Sequence, residues 1–464
     1  MSTDKPVAIL GAGLAGLSAA HTLAARGVKV LVLEREDHAG GLASTCKESG
    51  FHFDLGPHRF HTQDQSILDG LHQLMPGKLI ELQRVSSIHL LGRYFKYPLV
   101  LGEVLRQMPK SVGARIVASY MMAKASGILS RGGDKDFQSW VVARFGRKLF
   151  DIYFGPYTAK LWGCRPDQLS SDWASQRITV PSLSGLLKET IFPSDGAVRS
   201  LVSTFHYPKG GIGEISEALA GKVKGNGGEI VFDSPVSEVR IVDDGSFEII
   251  AGNSGYSASS LISTIPVTDY IRALGEHVPE QIREDAGRLS YRAIAFAVLR
   301  LVSESPSVND HWIYAAESEF RFNRISIPEN FDCNLPGSGW QAVFEFTCRE
   351  GDDTWRSEKA LVDESILGGE KLGLFRTGDV TGWKVVRQSH AYPIYLKGYS
   401  LHVGRILDFL ENLEGSVTCG RQGLFRYNNM DHSLEMGRVA ALEILGEGSV
   451  RENFYWDSST WADG

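Results

Sequence analysis

The stretch that most constrains this chain is residues 6–34, PVAILGAGLAGLSAAHTLAARGVKVLVLE. Residues 7–10 are a short apolar run of the kind that makes a buried parallel strand. The run breaks into Gly11-Ala12-Gly13-Leu14-Ala15-Gly16, then into an alanine- and leucine-rich stretch with helical spacing that ends near Gly27. A second apolar run, residues 28–33, closes on Glu34. Strand, glycine turn, helix and strand in that order are the context in which a GxGxxG turn binds a dinucleotide. Gly11 permits the tight turn, Gly13 lets the backbone approach a pyrophosphate, and Gly16 lets helix and strand pack closely. Leu14 and Ala15 open the helix, whose free N–H groups and positive dipole end favour phosphate. Glu34, about 20 residues on, suits a ribose hydroxyl and would repel a 2′-phosphate.

The residues just after this unit narrow the dinucleotide. Glu34-Arg35-Glu36-Asp37-His38-Ala39-Gly40-Gly41-Leu42 sets a glycine pair shortly after the ribose acid. This resembles the extended flavin signature of the glutathione-reductase-like FAD superfamily, in which the second glycine pair lies against the cofactor. The resemblance implies FAD rather than NAD. It adds Arg35, Gly41 and Leu42 to the candidate cofactor contacts.

A chain of 464 residues can hold a large core and two or three structural units. The net charge of −7 advertises no basic face, which argues against nucleic acid as a partner. Cys46, Cys164, Cys333, Cys348 and Cys419 are scattered without CxxC spacing and read as free thiols of a reducing compartment. The first strand begins almost at once, which leaves no room for a signal peptide. No apolar run approaches the ~18 residues of a membrane span. A soluble, cytoplasmic protein is expected.

Further along, residues 51–62 are rich in aromatics and histidine around a Gly-Pro turn. Their spacing is no metal motif and no acidic or cysteine partners cluster with them, so a loop near the cofactor is expected and no metal. Residues 92–99 alternate like a strand, and residues 100–149 are helical in pattern. The turn-rich segment 153–163, with Lys160 among its aromatics, fits either a core or a platform for a base and phosphate. Residues 215–223 read as a helix, and 229–232, 239–242, 247–250 and 261–265 as strands. Residues 293–301, 312–315, 322–327 and 341–346 suggest an antiparallel sheet. The glycine turn at Gly420, with polar residues at the start of a terminal helix, makes a second anion-binding end.

With these segments laid out, the chain resembles the UDP-galactopyranose mutase family over most of its length. Gly56–Thr62 matches a GPHxFHT segment beside the flavin, with Arg59 where an aliphatic residue is usual. Tyr157-Thr-Ala-Lys-Leu-Trp-Gly163 fits a uridine-binding YTxKxWG segment, which implies that Tyr157 stacks on the base and Trp162 lines the site. Arg177, and Arg324 in Asn-Arg-Ile-Ser, correspond to the two arginines that contact the substrate pyrophosphate. Tyr392-Pro393 matches the family's Tyr-Pro segment. Gly420–Tyr427 matches GRxGxxRY, with Arg421 toward the FAD and Tyr427 toward the diphosphate. Asn429-Met430-Asp431-His432-Ser433 parallels the Asn-Gln-Asp-His-Ser run of eukaryotic-type mutases, where bacterial ones carry an acid in place of Asn429. This makes Asn429 a candidate substrate contact, and Met430 and Asp431 candidate cofactor contacts. Forked, charge-assisted donors are what a diphosphate requires, and tyrosine hydroxyls can satisfy its remaining lone pairs.

The resemblance implies an α/β fold: a Rossmann-like FAD-binding domain (1–95, 200–266 and 385–446), a mostly helical insertion (98–195) and an antiparallel-sheet substrate domain (267–384). It implies a mutase that interconverts the pyranose and furanose forms of a nucleoside-diphosphate sugar through an adduct of the sugar with reduced flavin N5. Arg177 and Arg324 would stabilise the leaving diphosphate, and His58 is a candidate for shaping the flavin N5 environment. NADPH or NADH is the candidate reductant, and the helices of 100–149 are a candidate homodimer surface. The same fold also hosts amine-oxidase-like and protoporphyrinogen-oxidase-like oxidoreductases, so net redox chemistry on a small molecule is the competing reading. A flavin-binding partner subunit without turnover is a third.

Overall fold

The computed structural model describes residues 5–99, 101–129, 135–172, 174, 204–302, 306–336 and 339–455. Two sheets organise them. The first is a parallel sheet of five strands in the order Ser416–Thr418, Ser260–Ser263, Val7–Leu10, Val30–Leu33 and Glu229–Val231. Val7–Leu10 and Val30–Leu33 are buried at every position, as continuous aliphatic runs are when both faces of a parallel sheet are covered. The helix Leu14–Ala24 packs on this sheet between Gly213–Gly225 and Met430–Ile444. Gly437 allows the close approach of the last of these, since a Cβ there would lie 2.0 Å from the Ala15 carbonyl oxygen.

The second sheet has seven strands: Val380–Pro393, Tyr291–Leu301, Trp340–Cys348, Arg324–Ser326, Trp312–Ala315, Ser86–Leu90 and Arg93–Lys96. All its pairings are antiparallel except that of Trp312–Ala315 with Ser86–Leu90. The sheet does not stop at the expected 267–384 span. Ser86–Leu90 and Arg93–Lys96 extend it from the N-terminal side, and Val380–Pro393 runs past residue 384.

Both faces of this sheet are covered, and strand alternation decides what each face meets. Ala293, Ala295, Ala297 and Leu299 face the helix Glu358–Lys371, while Ile294, Phe296 and Val298 face Phe51, Phe53 and Leu55. The hairpin Thr45–Glu48/Phe51–Asp54 thereby joins the sheet to the nucleotide unit. Helices Leu101–Gln107, Lys110–Leu129, Phe137–Phe145 and Gly155–Trp162 form the insertion. Among the described residues, no helix is long and apolar enough to cross a membrane.

Candidate functional site

The glycine turn opens a cavity of about 530 Å³ lined by Gly11, Gly13, Leu14, Ala15, Glu34, Arg35, Gly41, Leu42, Arg421 and Met430, all expected cofactor contacts. His58 and Asn429 line it as well. Glu34 is buried, and its Oε2 accepts from the Ala12 amide at 2.6 Å while Oε1 accepts from the Glu36 amide at 3.0 Å. The carboxylate thus fixes the glycine turn and keeps lone pairs for a ribose. Two helix N-termini, at Leu14 and Met430, open on the same cavity, as phosphate binding requires. Gly13 adopts an ordinary extended φ of −71° with nothing within 4 Å of a built Cβ, so the space beside it is the cradle a pyrophosphate would fill. The residues present fit a flavin dinucleotide.

Two expected contacts lie elsewhere. Gly16 faces the turn, where a Cβ would stand 1.9 Å from the Gly11 carbonyl oxygen, so it is a packing glycine. Asp431 is buried in the first turn of the terminal helix, where burial raises its carboxyl pKa. Sequence reading missed a further part of the lining: Ser234–Ser237, Thr264–Pro266, Gln388, His390 and Gln422. These come from separate elements, Gln388 and His390 from the strand Val380–Pro393 and Gln422 from the short helix Gly420–Gly423, and no local pattern marks them as lining.

The second half of the site is a row across the seven-stranded sheet. Register places Phe296, Glu345, Arg324 and Tyr314 opposite one another on successive strands, hence on one face. Arg324 donates to Glu345 Oε2 from Nε at 3.2 Å and from Nη2 at 2.5 Å, and its guanidinium stands 5.8 Å over the Tyr314 ring. The buried carboxylate holds the arginine pKa far above its ordinary value despite desolvation. Gly56, at φ +107°, faces both partners: a Cβ there would stand 3.6 Å from Arg324 Nη2 and from Glu345 Oε2. His58 comes next; burial, followed by the charges of Arg421 and Arg324, lowers its pKa to about 3. It is a neutral imidazole. Glu345 was not anticipated, yet a glutamate inside the wholly buried strand Trp340–Cys348 carries its own signal, because a buried charge needs a partner.

The tyrosines gather around Arg324. Tyr157 stacks on Tyr153 at 6.0 Å and meets Tyr314 edge-on at 6.2 Å. Tyr392 lies 5.6 Å from Tyr427, whose ring carries the Arg421 guanidinium at 4.7 Å. Arg421 is oriented by Asn428, donating to its carbonyl at 2.5 Å. Trp162 was expected to line the site. It is instead buried among Phe137, Trp140 and Phe150 and braces Tyr392 edge-on at 6.1 Å. Lys160 belongs to the core: its ammonium donates to the carbonyls of Ala315, Glu317, Phe320 and Phe322. Arg177 lies outside the described residues. Of the clustered histidines, His52 binds the Gly210 carbonyl at 2.8 Å. Among the described residues, no group of His, Cys, Asp and Glu is placed to hold a metal.

The family model described as flavin containing amine oxidoreductase matches residues 14–300, more than half of the chain. The chain belongs to that family. UDP-galactopyranose mutase of Mycoplasma pneumoniae is 22% identical over 94% of this chain and 95% of its own. A probable UDP-galactopyranose mutase of Klebsiella pneumoniae is 26% identical over 178 residues, 36% of this chain, and the match spans only 43% of that relative. The crystal structure of a reduced UDP-galactopyranose mutase superposes with a TM-score of 0.87 at 23% identity, covering 99% of this chain and 100% of the other. A putative protoporphyrinogen oxidase from Exiguobacterium gives 0.72 at 17% identity, covering 95% and 98%. The fold is therefore that of a flavin containing oxidoreductase, with the parallel sheet and the added antiparallel sheet read from the sequence.

Proposed function

We propose that this chain is an FAD-dependent mutase that interconverts the ring forms of a nucleoside-diphosphate sugar. The observation that carries the reading is Arg324, set among Tyr157, Tyr314 and Tyr392 on a sheet face that also borders the flavin cavity through His58. An oxidase of an apolar amine has no need of that cation and those hydroxyls together. A leaving diphosphate does.

When bound, reduced flavin supplies an electron-rich centre for the anomeric carbon. The chain's share is positioning and electrostatics. Arg324, with Arg177, holds the diphosphate and stabilises its charge as it departs. Tyr392 and Tyr427 donate to its oxygens, and Tyr157 offers a ring to the base. His58, neutral at every working pH, presents a wall without added charge beside the cofactor. Trp162 keeps Tyr392 in place, and the surrounding aromatics exclude water. NADPH or NADH serves as reductant in this reading, the protein is cytoplasmic, and the 100–149 helices are the candidate dimer surface.

The test is anaerobic incubation of flavin-loaded protein, oxidised or dithionite-reduced, with UDP-galactopyranose and related nucleotide sugars, followed by chromatography. Conversion to the furanose by the reduced protein alone is expected. No conversion of any nucleotide sugar, with rapid reoxidation of the reduced protein in air, would replace the reading with an oxidoreductase.

A further inference from the structure

Arg59 and Arg84 are neighbouring cations for which no described carboxylate serves as counter-charge. Arg59 stands 5.5 Å over the Trp312 ring, and Arg84 stands 5.5 Å over the Tyr97 ring. Nη1 of each is hidden from water and has no hydrogen-bond partner. Arg84 does donate from Nη2 to the Tyr97 carbonyl at 3.3 Å, but neither arginine forms an ion pair with a described carboxylate. Burial, and after it the charge of neighbouring Arg59, lowers the Arg84 pKa. Arginines elsewhere in the core are treated differently. Arg324 has Glu345, and Arg292 donates to the carbonyls of Leu161 and Thr347. Two neighbouring half-buried guanidinium groups, each with a hidden Nη1 and no anion, are unfavourable in the free protein, so their natural partner is a ligand.

The place of the pair says which part of a ligand. Tyr97 packs on Tyr314 at 4.8 Å, the same ring that Arg324 covers on the diphosphate side. Arg59 is next in the chain to His58, which lines the flavin cavity. The pair therefore lies beside the region where a sugar must sit to reach the flavin. Each guanidinium has an aromatic ring against one face, which leaves its in-plane edge for oxygen atoms, the geometry of forked carboxylate recognition.

We propose that Arg59 and Arg84 form an anion subsite selecting a nucleoside-diphosphate sugar whose sugar carries a carboxylate. The proposal rests on the nucleotide-sugar reading above. Free phosphate shares the required anionic oxygen chemistry and is the alternative source.

Calorimetric titration of flavin-loaded protein with UDP, UDP-galactose and UDP-galacturonate tests both statements separately. UDP-galacturonate is expected to bind about tenfold tighter than UDP-galactose, the factor a charge-assisted contact supplies. In Arg59→Leu and in Arg84→Gln the ratio of the two affinities should fall to near one. Should either variant fail to load flavin, the ratio in the unmodified protein still decides. UDP binding without preference for the acidic sugar overturns the subsite alone. No binding of UDP rejects the nucleotide-sugar reading and the subsite with it. Preference abolished by millimolar inorganic phosphate would reassign the pair to free phosphate.

Discussion

Glu345 holds Arg324 with a single carboxylate oxygen, which accepts from both Nε and Nη2. The arginine proposed to receive a diphosphate thus arrives with its own buried anion, which fixes the guanidinium plane before any ligand binds. Arg324→Ala removes a binding charge and strands Glu345. Loss of ~2–4 kcal/mol of nucleotide-sugar affinity is expected, together with ~3–5 kcal/mol of stability from the unpaired buried carboxylate. The double variant Arg324→Ala/Glu345→Gln separates the effects, because it restores much of the stability and none of the affinity. A dissociation constant unchanged in the double variant would remove Arg324 from the substrate site.

Gly13 and Gly16 belong to one motif but answer to different demands. A Cβ at Gly13 meets nothing within 4 Å, whereas at Gly16 it runs into the Gly11 carbonyl. Gly13→Val should therefore fold, with an ordinary circular dichroism spectrum, and lose its flavin. Gly16→Ala should lose stability, by more than the ~1–3 kcal/mol usual for overpacking, because the obstacle is backbone. A yellow, stoichiometric Gly13→Val protein would refute the placement of the pyrophosphate.

His58 makes a pH prediction. Its native pKa, about 3, lies below the ordinary 6.5 because burial, Arg421 and Arg324 all oppose a positive imidazole. Below pH 6.5 the unfolded chain takes up a proton that the native site refuses. Stability then falls as pH drops from 6.5 toward 3, and is fully present above 6.5. Urea midpoints of flavin-free protein should decline over that interval, and His58→Gln should flatten the decline. If both proteins follow the same curve, the imidazole is not desolvated between the two arginines.

The nucleotide half of the site was legible because it is local: strand, turn, helix and acid lie within residues 6–34, and their chemistry comes from short-range geometry. Arg324 was legible through its motif, but its partner was not, since Glu345 reaches it only through sheet register across 21 residues. The pairing of Leu79–Gln83 with Thr204–Pro208, more than a hundred residues apart, left no mark on either segment. The strand Ser254–Ala258 was missed because it is a short, serine- and glycine-containing edge of a three-stranded sheet. Trp162 and Lys160 illustrate the opposite error. Aromatic and cationic residues in a turn-rich segment suit a ligand platform as well as a core, and only packing separates the two.

Lys160 supports the last prediction. Its ammonium reaches four carbonyls at 2.6–3.1 Å, all in the connection from Trp312–Ala315 to Arg324–Ser326. That connection joins the strand of Tyr314 to the strand of Arg324, so a lysine on the helix carrying Tyr157 sets the separation of all three side chains. Lys160→Met keeps the apolar stem and leaves the carbonyls without their donor. Unmet buried acceptors cost about 1–3 kcal/mol each, reduced where water enters, so a loss of about 3 kcal/mol or more in urea denaturation is expected. Hydrogen exchange should quicken in residues 315–324 before it does in the parallel sheet. Nucleotide-sugar affinity should fall as well, although Lys160 is placed away from the ligand, because Tyr314 and Arg324 lose their fixed spacing. An unchanged exchange pattern in 315–324 would show that the hairpin is held by the sheet alone.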